Sequence, residues 1–566
     1  MVFKIADNII SPLGRTSEQN FRAVKSGKSA LALHSLPGLK EKVFASLFSP
    51  EDRESLQIEG LSRFESLVYR SASQALEDSA GVFDIAGKDV VFVLGTTKAN
   101  IELLDGNAGE EDLLPGKSAE RICSRLGITT TPIVVCNACI SGLSSIVLAS
   151  RLLESELFKY AIVCGADVLG RFITSGFQAL KTLSDEACRP FDIERCGMNL
   201  GESAATIVLS SKPRAEKSWT IEAGAVRNDA HNPTAPSPKG DGAYLAISHV
   251  LEGYPVQRLA LVNAHGTSSL FMDQMESVAL ERAGLLDVPV NSLKGNFGHT
   301  LGAAGILETI ITMKALDENL VLGTKGFEEL GVSSPIKVSH EQISAEGKKA
   351  FVKTVSGFGG ANAAILATCD SNNSSRTFIS PLLRKTRRVR ISPEGAWVDG
   401  TALSIPEGLG GKEILSLLYN EKVGNYPQFY KMDLLSRLGF IASELLLEND
   451  RCEGTDSRAV IFFNRSSSLK TDRKYMETIA EDNYYPSPSL FVYTLPNIIT
   501  GEIAIRNKYN GETSFYILPE REEKTMERVL RAAFLDKKTR SAIAGWLDCR
   551  GENDFEADVF IVEKED

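Results

Sequence analysis

The chain has no run of 18 consecutive apolar residues, which excludes a membrane-spanning helix. Its opening, Met-Val-Phe-Lys-Ile-Ala-Asp-Asn, lacks a basic segment followed by an apolar one, so no secretory leader is expected. No two Cys-x-x-Cys pairs stand at zinc-finger spacing, and the nine cysteines are an odd number scattered through apolar runs. Neither a disulfide framework nor a metal site is expected, and the cytoplasm is the expected location. A basic surplus is also missing. The net charge of −11 argues against a nucleic-acid partner, whose phosphates need a basic face. Histidine is scarce, six in 566 residues, so the setting of each one is informative.

What is present points to a globular α/β protein of two to four domains, with 43% hydrophobic and 24% charged residues. Short β-branched runs alternate with helical patterns: a strand at Asp89–Leu94, another at Tyr160–Gly165, another at Ala204–Leu209, and an amphipathic helix over 61–79. The stretch 133–153 organises the rest. Ile133, Val134 and Val135 read as a buried strand, followed by a tight turn and a helix apolar on most sides. Cys139 stands at the handover, where free N–H groups and the positive helix end favour a thiolate. With Cys136 it forms a Cys-x-x-Cys spacing, a weak signal outside a thioredoxin-like context.

Four glycine-containing segments follow: Arg189-Pro190-Phe191-Asp192 running to Gly201-Glu202; Asn263-Ala264-His265-Gly266-Thr267-Ser268-Ser269, with Asp273 and Glu276 behind; Lys294 through His299 to Gly305, with Glu308; and Gly357-Phe358-Gly359-Gly360-Ala361-Asn362. His265 and His299, in glycine-flanked turns, are suited to holding or giving a proton near neutral pH. The Gly-Phe-Gly-Gly turn could present a backbone N–H to a developing oxyanion.

Taken in order, Asn-Ala-Cys-Ile-Ser-Gly, His-Gly-Thr-Ser, Lys-x3-Gly-His-x2-Gly-Ala-Ala-Gly and Gly-Phe-Gly-Gly-Ala-Asn resemble the elongating β-ketoacyl-[acyl-carrier-protein] synthases, condensing enzymes of the thiolase fold. The segment Asp229-Ala230-His231, followed by Ala235-Pro236-Ser237-Pro238, resembles that family's carrier-arm loop. The resemblance implies two βαβαβαββ halves layered α-β-α-β-α, over 1–220 and 221–369. It implies decarboxylative Claisen condensation of an acyl-Cys enzyme with malonyl-acyl carrier protein, in fatty-acid or aryl-polyene/polyketide elongation. The alternative is a non-elongating thiolase-fold partner, chain-length-factor-like or a decarboxylase. By the same resemblance Cys139 would carry the acyl chain. His265 and His299 would stabilise the malonyl-derived enolate, and Lys294 with Glu308 would orient the histidine region. The N–H groups of Cys139 and Phe358 would form the oxyanion hole, with the Phe358 ring as gate. Thr267 and Ser269 would hold the 4′-phosphopantetheine arm beside Gly357 and Gly359. No bound cofactor is implied; the partners would be acyl carrier protein and a second subunit, as homodimer or heterodimer. The chain departs from the family's usual residues at Ser356, Ala361, Cys196 and Ser269, which bears on the pocket lining.

The polar, non-periodic stretch 370–375 reads as a linker, assigned to 370–393. Its cationic cluster, Arg384 to Arg390, reads as a solvated linker face rather than a binding patch. Residues 394–566 repeat the order of the first 210: Leu435-Ser436-Arg437-Leu438 against Leu61-Ser62-Arg63-Phe64, Val460–Phe463 against Val90–Leu94, and 513–518 against the strand before Cys139. On that offset Arg521 falls where Cys139 stands. The tail is expected to be a third, incomplete thiolase-like half without catalytic residues.

Overall fold

The computed structural model describes all residues except 36–41, 107, 215–217, 370–380, 449, 451–455, 481–483 and 566. In the first half, β1 (Val2–Ile10), β2 (Val90–Gly95), β3 (Ile133–Val135), β4 (Tyr160–Asp167) and β5 (Ser203–Ser210) form one mixed sheet. β3, β2 and β4 are mutually parallel neighbours; β5 then runs antiparallel to both β4 and β1. Every residue of β2, β3 and β5 is buried, which explains why they read as continuous apolar runs rather than alternating ones. The second half repeats the theme with β6 (Thr220–Asn228), β7 (Leu261–Asn263), β8 (Pro289–Asn291), β9 (Ala350–Gly357) and β10 (Ala361–Thr368). Here β8, β7 and β9 are parallel, and β10 is antiparallel to β9 and β6.

Helix α1 (Arg63–Asp78) covers the outer face of the first sheet; its start is set by a capping box between Ser62 and Glu65. Helices α2 (Ser141–Glu154) and α3 (Ala304–Asp317) lie in the middle. α2 touches β2 and β4 of the first sheet and β6 and β10 of the second, and all but its last residue are buried. A helix apolar all round is the signature of that inner layer. Its approach is close because Gly142 has no side chain: a Cβ there would lie 2.3 Å from the Gly302 carbonyl.

The tail adds β11 (Leu383–Ser392), β12 (Arg458–Asn464), β13 (Thr513–Ile517), β14 (Ser541–Gly551) and β15 (Asp554–Lys564). β13, β12 and β14 are parallel, and β15 is antiparallel to β14 and β11. Order and sense match β3-β2-β4-β5-β1. Tail helix α4 (Leu434–Leu446) packs on β11, β14 and β15, as α1 packs on β1, β4 and β5. The helix caps are Ser62 and Asp433, so the residue-level match lies three positions from the one that pairs Ser62 with Ser436. The linker expectation needs correction. Residues 370–380 lie outside the described residues, but Leu383–Ser392 is a strand rather than linker. Its basic residues are paired rather than merely solvated: Arg388 with Asp558 at 2.7 Å, Arg387 with Glu448 at 3.4 Å, and Lys385 over the Phe560 ring.

Tail and body share one sheet. Tyr516 and Ile517 of β13 pair antiparallel with Val135 and Val134 of β3, and the Asn137 side-chain oxygen accepts from the Phe515 N–H at 2.7 Å. At a second point of the seam, Arg227 on β6 and Arg151 on α2 converge on Asp536 of the tail, at 2.7 Å and 3.4 Å. Arg151 also meets Glu512 at 2.5 Å, and the His249 Nε2 lies 3.6 Å from Asp536. Among the described residues no helix is long and apolar enough to cross a membrane.

Candidate active site

Cys139 sits in a single 3₁₀ turn, Ala138–Ile140, between the end of β3 and the first residue of α2. Ala138 takes a left-handed backbone (φ 49°), an energetically costly conformation for a residue with a Cβ. Ser268 (φ 69°) and Leu301 (φ 50°) do the same beside the two histidine loops. Strain of this kind collects where a backbone is bent to present a side chain.

Two cavities meet at Cys139. The outer one, about 90 Å³, is lined by Cys139, His265, His299, Thr267, Ser269, Gly357 and Phe358, with Asp229 and Asn232–Pro236 of the 229–238 loop at its side. The inner one, about 20 Å³, runs from Cys139 past Ile173, Leu301 and Phe358 to Phe491 and Leu495 of the tail. The His265 and His299 rings stand edge to face with centroids 5.0 Å apart. The Thr267 and Ser269 hydroxyls are 3.2 Å apart on the cavity wall. A Cβ on Gly357 would lie 3.1 Å from the Cys139 nitrogen, so the strand end at Phe358 runs directly against the cysteine turn. Gly359 is not on the cavity wall; its N–H donates to the Pro233 carbonyl and it faces Asn497.

Lys294 and Glu308 lie behind the histidines, fully buried and 2.5 Å apart. Lys294 Nζ also donates to the His265 carbonyl at 3.0 Å. Below His265, Glu276 accepts from the His265 and Gly266 N–H groups, both at 2.8 Å. Asp273 accepts from the Thr267 N–H at 2.8 Å and the Phe191 N–H at 2.7 Å, tying two of the glycine-rich segments together.

Burial decides the protonation states. It pushes the Cys139 thiol up to about 12, with Asp167 adding to the effect, so the expectation of a resting thiolate is corrected: the free enzyme holds a thiol. Burial, reinforced by Lys294 and Lys353, holds both imidazoles well below the ordinary histidine value, so both are neutral at pH 7. Burial alone would raise Glu308, but Lys294 and Lys353 outweigh it and keep the carboxylate ionised.

Four contributing residues were not legible from motifs. Lys353 shares Glu308 with Lys294; its one signal was a cation within the strand-like Ala-Phe-Val-Lys-Thr-Val run. Asp167, at the end of β4, receives the Gly302 N–H at 2.7 Å and the Thr96 hydroxyl at 2.9 Å, fixing the loop after His299. Phe491 and Leu495 reach the cavity from a segment far along the chain from α3, with no local cue. Arg521, four residues beyond β13 as Cys139 is four beyond β3, forms ion pairs with Glu523, Glu556 and Asp558.

Residues 9–215 match the Beta-ketoacyl synthase, N-terminal domain, and residues 219–328 match the Beta-ketoacyl synthase, C-terminal domain. The chain is 29% identical over 403 residues to 3-oxoacyl-[acyl-carrier-protein] synthase 2 of Vibrio cholerae, covering 63% of this chain and 96% of that one. In fold it resembles a ketosynthase solved in complex with its chain length factor from Xenorhabdus doucetiae (TM-score 0.58, 22% identity, 65% of this chain and 98% of that one). It also resembles the PfaC keto synthase–chain length factor (TM-score 0.78, 14% identity), which covers 100% of this chain and 78% of its own. The chain is a member of the β-ketoacyl synthase family, an acyltransferase of the 3-oxoacyl-[acyl-carrier-protein] synthase type built on the thiolase fold.

Proposed function

We propose that Cys139, His265 and His299 carry out decarboxylative Claisen condensation on substrates borne by the phosphopantetheine of an acyl carrier protein. The observation that supports this most directly is that one cavity brings all three together with the Phe358 turn. Cys139 Sγ attacks the carrier's acyl thioester. The carrier thiolate leaves and takes up the proton that the cysteine gives up, and the acyl group remains on Cys139. The positive end of α2 stabilises the sulfur anion only as it forms. Malonyl thioester then loses CO₂, and the electrons of the broken C–C bond pass to an enolate. Neutral imidazoles serve this step as N–H donors rather than as acids, which their burial ensures. The enolate carbon attacks the acyl-Cys carbonyl, whose oxygen becomes an oxyanion facing the N–H groups of Cys139 and Phe358. Collapse expels the cysteine sulfur, which takes a proton from water to restore the thiol, and leaves a 3-oxoacyl chain longer by the two carbons that malonate retains. Thr267 and Ser269 would hydrogen-bond the pantetheine arm, and Lys294 with Glu308 would hold His265 by its carbonyl. Unpaired cysteines scattered through the core suit a reducing, cytoplasmic setting.

His299→Ala is expected to slow CO₂ release from malonyl-carrier by roughly 100-fold or more, the scale of losing one preorganised donor. Unchanged release would remove His299 from this role.

For the tail we propose a half-unit that stands in place of a partner subunit, chain-length-factor-like in having no nucleophile. Its support is the repeated strand order, the β3–β13 pairing and the paired loops: Asp548 binds the Ser466 N–H after β12 much as Asp167 binds the Thr97 N–H after β2. The edge strand β3, through which a homodimer or heterodimer would pair, is thereby already occupied. Ending the chain at about residue 375 would uncover that edge and the apolar floor of the inner cavity. Such a fragment is expected to aggregate or lose condensation; a soluble, fully active fragment would refute the assignment.

A further inference from the structure

Lys353 is fully buried on β9. A buried ammonium is costly unless it is paired and fully hydrogen-bonded, and this one is both. Its Nζ meets Glu308 Oε2 at 2.5 Å and donates to the carbonyls of Ala264 at 3.1 Å and Asn263 at 3.4 Å. Lys294 meets the other Glu308 oxygen and donates to the next carbonyl, that of His265. Three successive carbonyls leading into His265 are therefore held by two ammoniums, with one carboxylate bridging both. A single Lys–Glu pair would balance its own charge; here a second cation is added. The other charged or titratable groups around the rings are Glu276, whose carboxylate is taken up by the two N–H groups below His265 and the Thr354 hydroxyl; Asp273, which holds the Thr267 turn; Asp167 beneath Gly302; and the Cys139 thiol across the cavity.

We propose that Lys353 is a positioning residue of the active site: it completes a two-lysine clamp on the backbone entering His265 and adds a second positive charge beside the two rings. Its catalytic meaning rests on the reading of His265 and His299 as the enolate-stabilising pair. The clamp does two separable things. The hydrogen bonds to residues 263 and 264 fix where the ring stands, and the charge disfavours the imidazolium at any ring position.

Two variants divide these effects. Lys353→Gln keeps an N–H donor without the charge; Lys353→Met removes both and leaves Glu308 paired with Lys294. In the full-length protein, ring-carbon NMR titration of the histidines reads the charge directly, and six histidines are few enough to assign by single substitution. Both variants are expected to move the His265 and His299 midpoints upward by roughly half a pH unit or more, since a nearby like charge has been removed. The acid limb of malonyl-carrier decarboxylation should move with them, and Lys353→Met should lower kcat further than Lys353→Gln. Midpoints equal to wild type in either folded variant overturn the proposal, even if activity falls, because that pattern is a purely structural loss. Shifted midpoints in a protein that releases no CO₂ would instead sustain the electrostatic role and defeat the reading of the reaction.

Discussion

Replacing Cys139 by alanine is expected to abolish condensation, by about 10⁴-fold or more, while leaving CO₂ release from malonyl-carrier measurable. The two halves of the reaction use different groups. Acyl transfer needs a sulfur that can accept and release the chain, and no neighbour offers one. Cys136 is buried behind the turn with its thiol directed at the Thr97 carbonyl at 3.2 Å, and Cys188 is bonded to the Lys294 carbonyl at 3.2 Å. Decarboxylation needs only the donors that receive the enolate, and His265 and His299 are untouched by the substitution. The measurements are the mass of the acyl-enzyme, which should show no adduct, and ¹⁴CO₂ from labelled malonyl-carrier, which should persist. Elongation surviving in Cys139→Ala would show that the nucleophile lies elsewhere.

The second large effect is expected at the seam. Asp536 is fully buried and takes charge from Arg227 and Arg151 of the body. Asp536→Ala leaves two buried guanidiniums short of their counter-ion, a loss of about 3–5 kcal/mol at pH 7. Arg151 retains Glu512, so Arg227 bears most of it. The pH dependence has a definite sign. Burial alone would raise the Asp536 carboxyl, but the two arginines hold it far below the usual carboxylate range. Its contribution is therefore present above the unfolded value near 4 and fades as pH falls toward the folded one. Urea midpoints of wild type and variant should differ most at neutral pH and begin to converge only below about pH 4. A difference under about 1 kcal/mol at pH 7 would mean the ion cluster is not what holds tail to body.

Much of the first 370 residues was legible because function and fold are written in the same local signals. A glycine beside a histidine marks a turn, and β-branched runs of three to eight residues mark buried strands. Cys139, His265 and His299 could be picked out because each occupies a turn after an apolar strand. The state of the thiol was not legible: a helix tip suggests a thiolate, but burial outweighs the dipole, and burial is set by residues from segments far apart in the chain. Lys353 was missed for a related reason. A lysine in a strand is ordinarily an exposed position, and only its partner Glu308, 45 positions earlier, makes it part of the site. The basic stretch at 384–390 failed in the opposite direction, since five cations in seven residues look like linker until β15 is seen beside them.

The inner cavity ends on Phe491 and Leu495, which belong to the tail, while its entrance belongs to the body. In an enzyme assembled from separate chains such a wall comes and goes with the association equilibrium. Here it is carried on the same polypeptide, at an effective concentration that tethering commonly places in the millimolar range. Dilution cannot strip the floor from this tunnel, and the pairing of one nucleophile with one floor is fixed by covalent connectivity rather than by expression ratio.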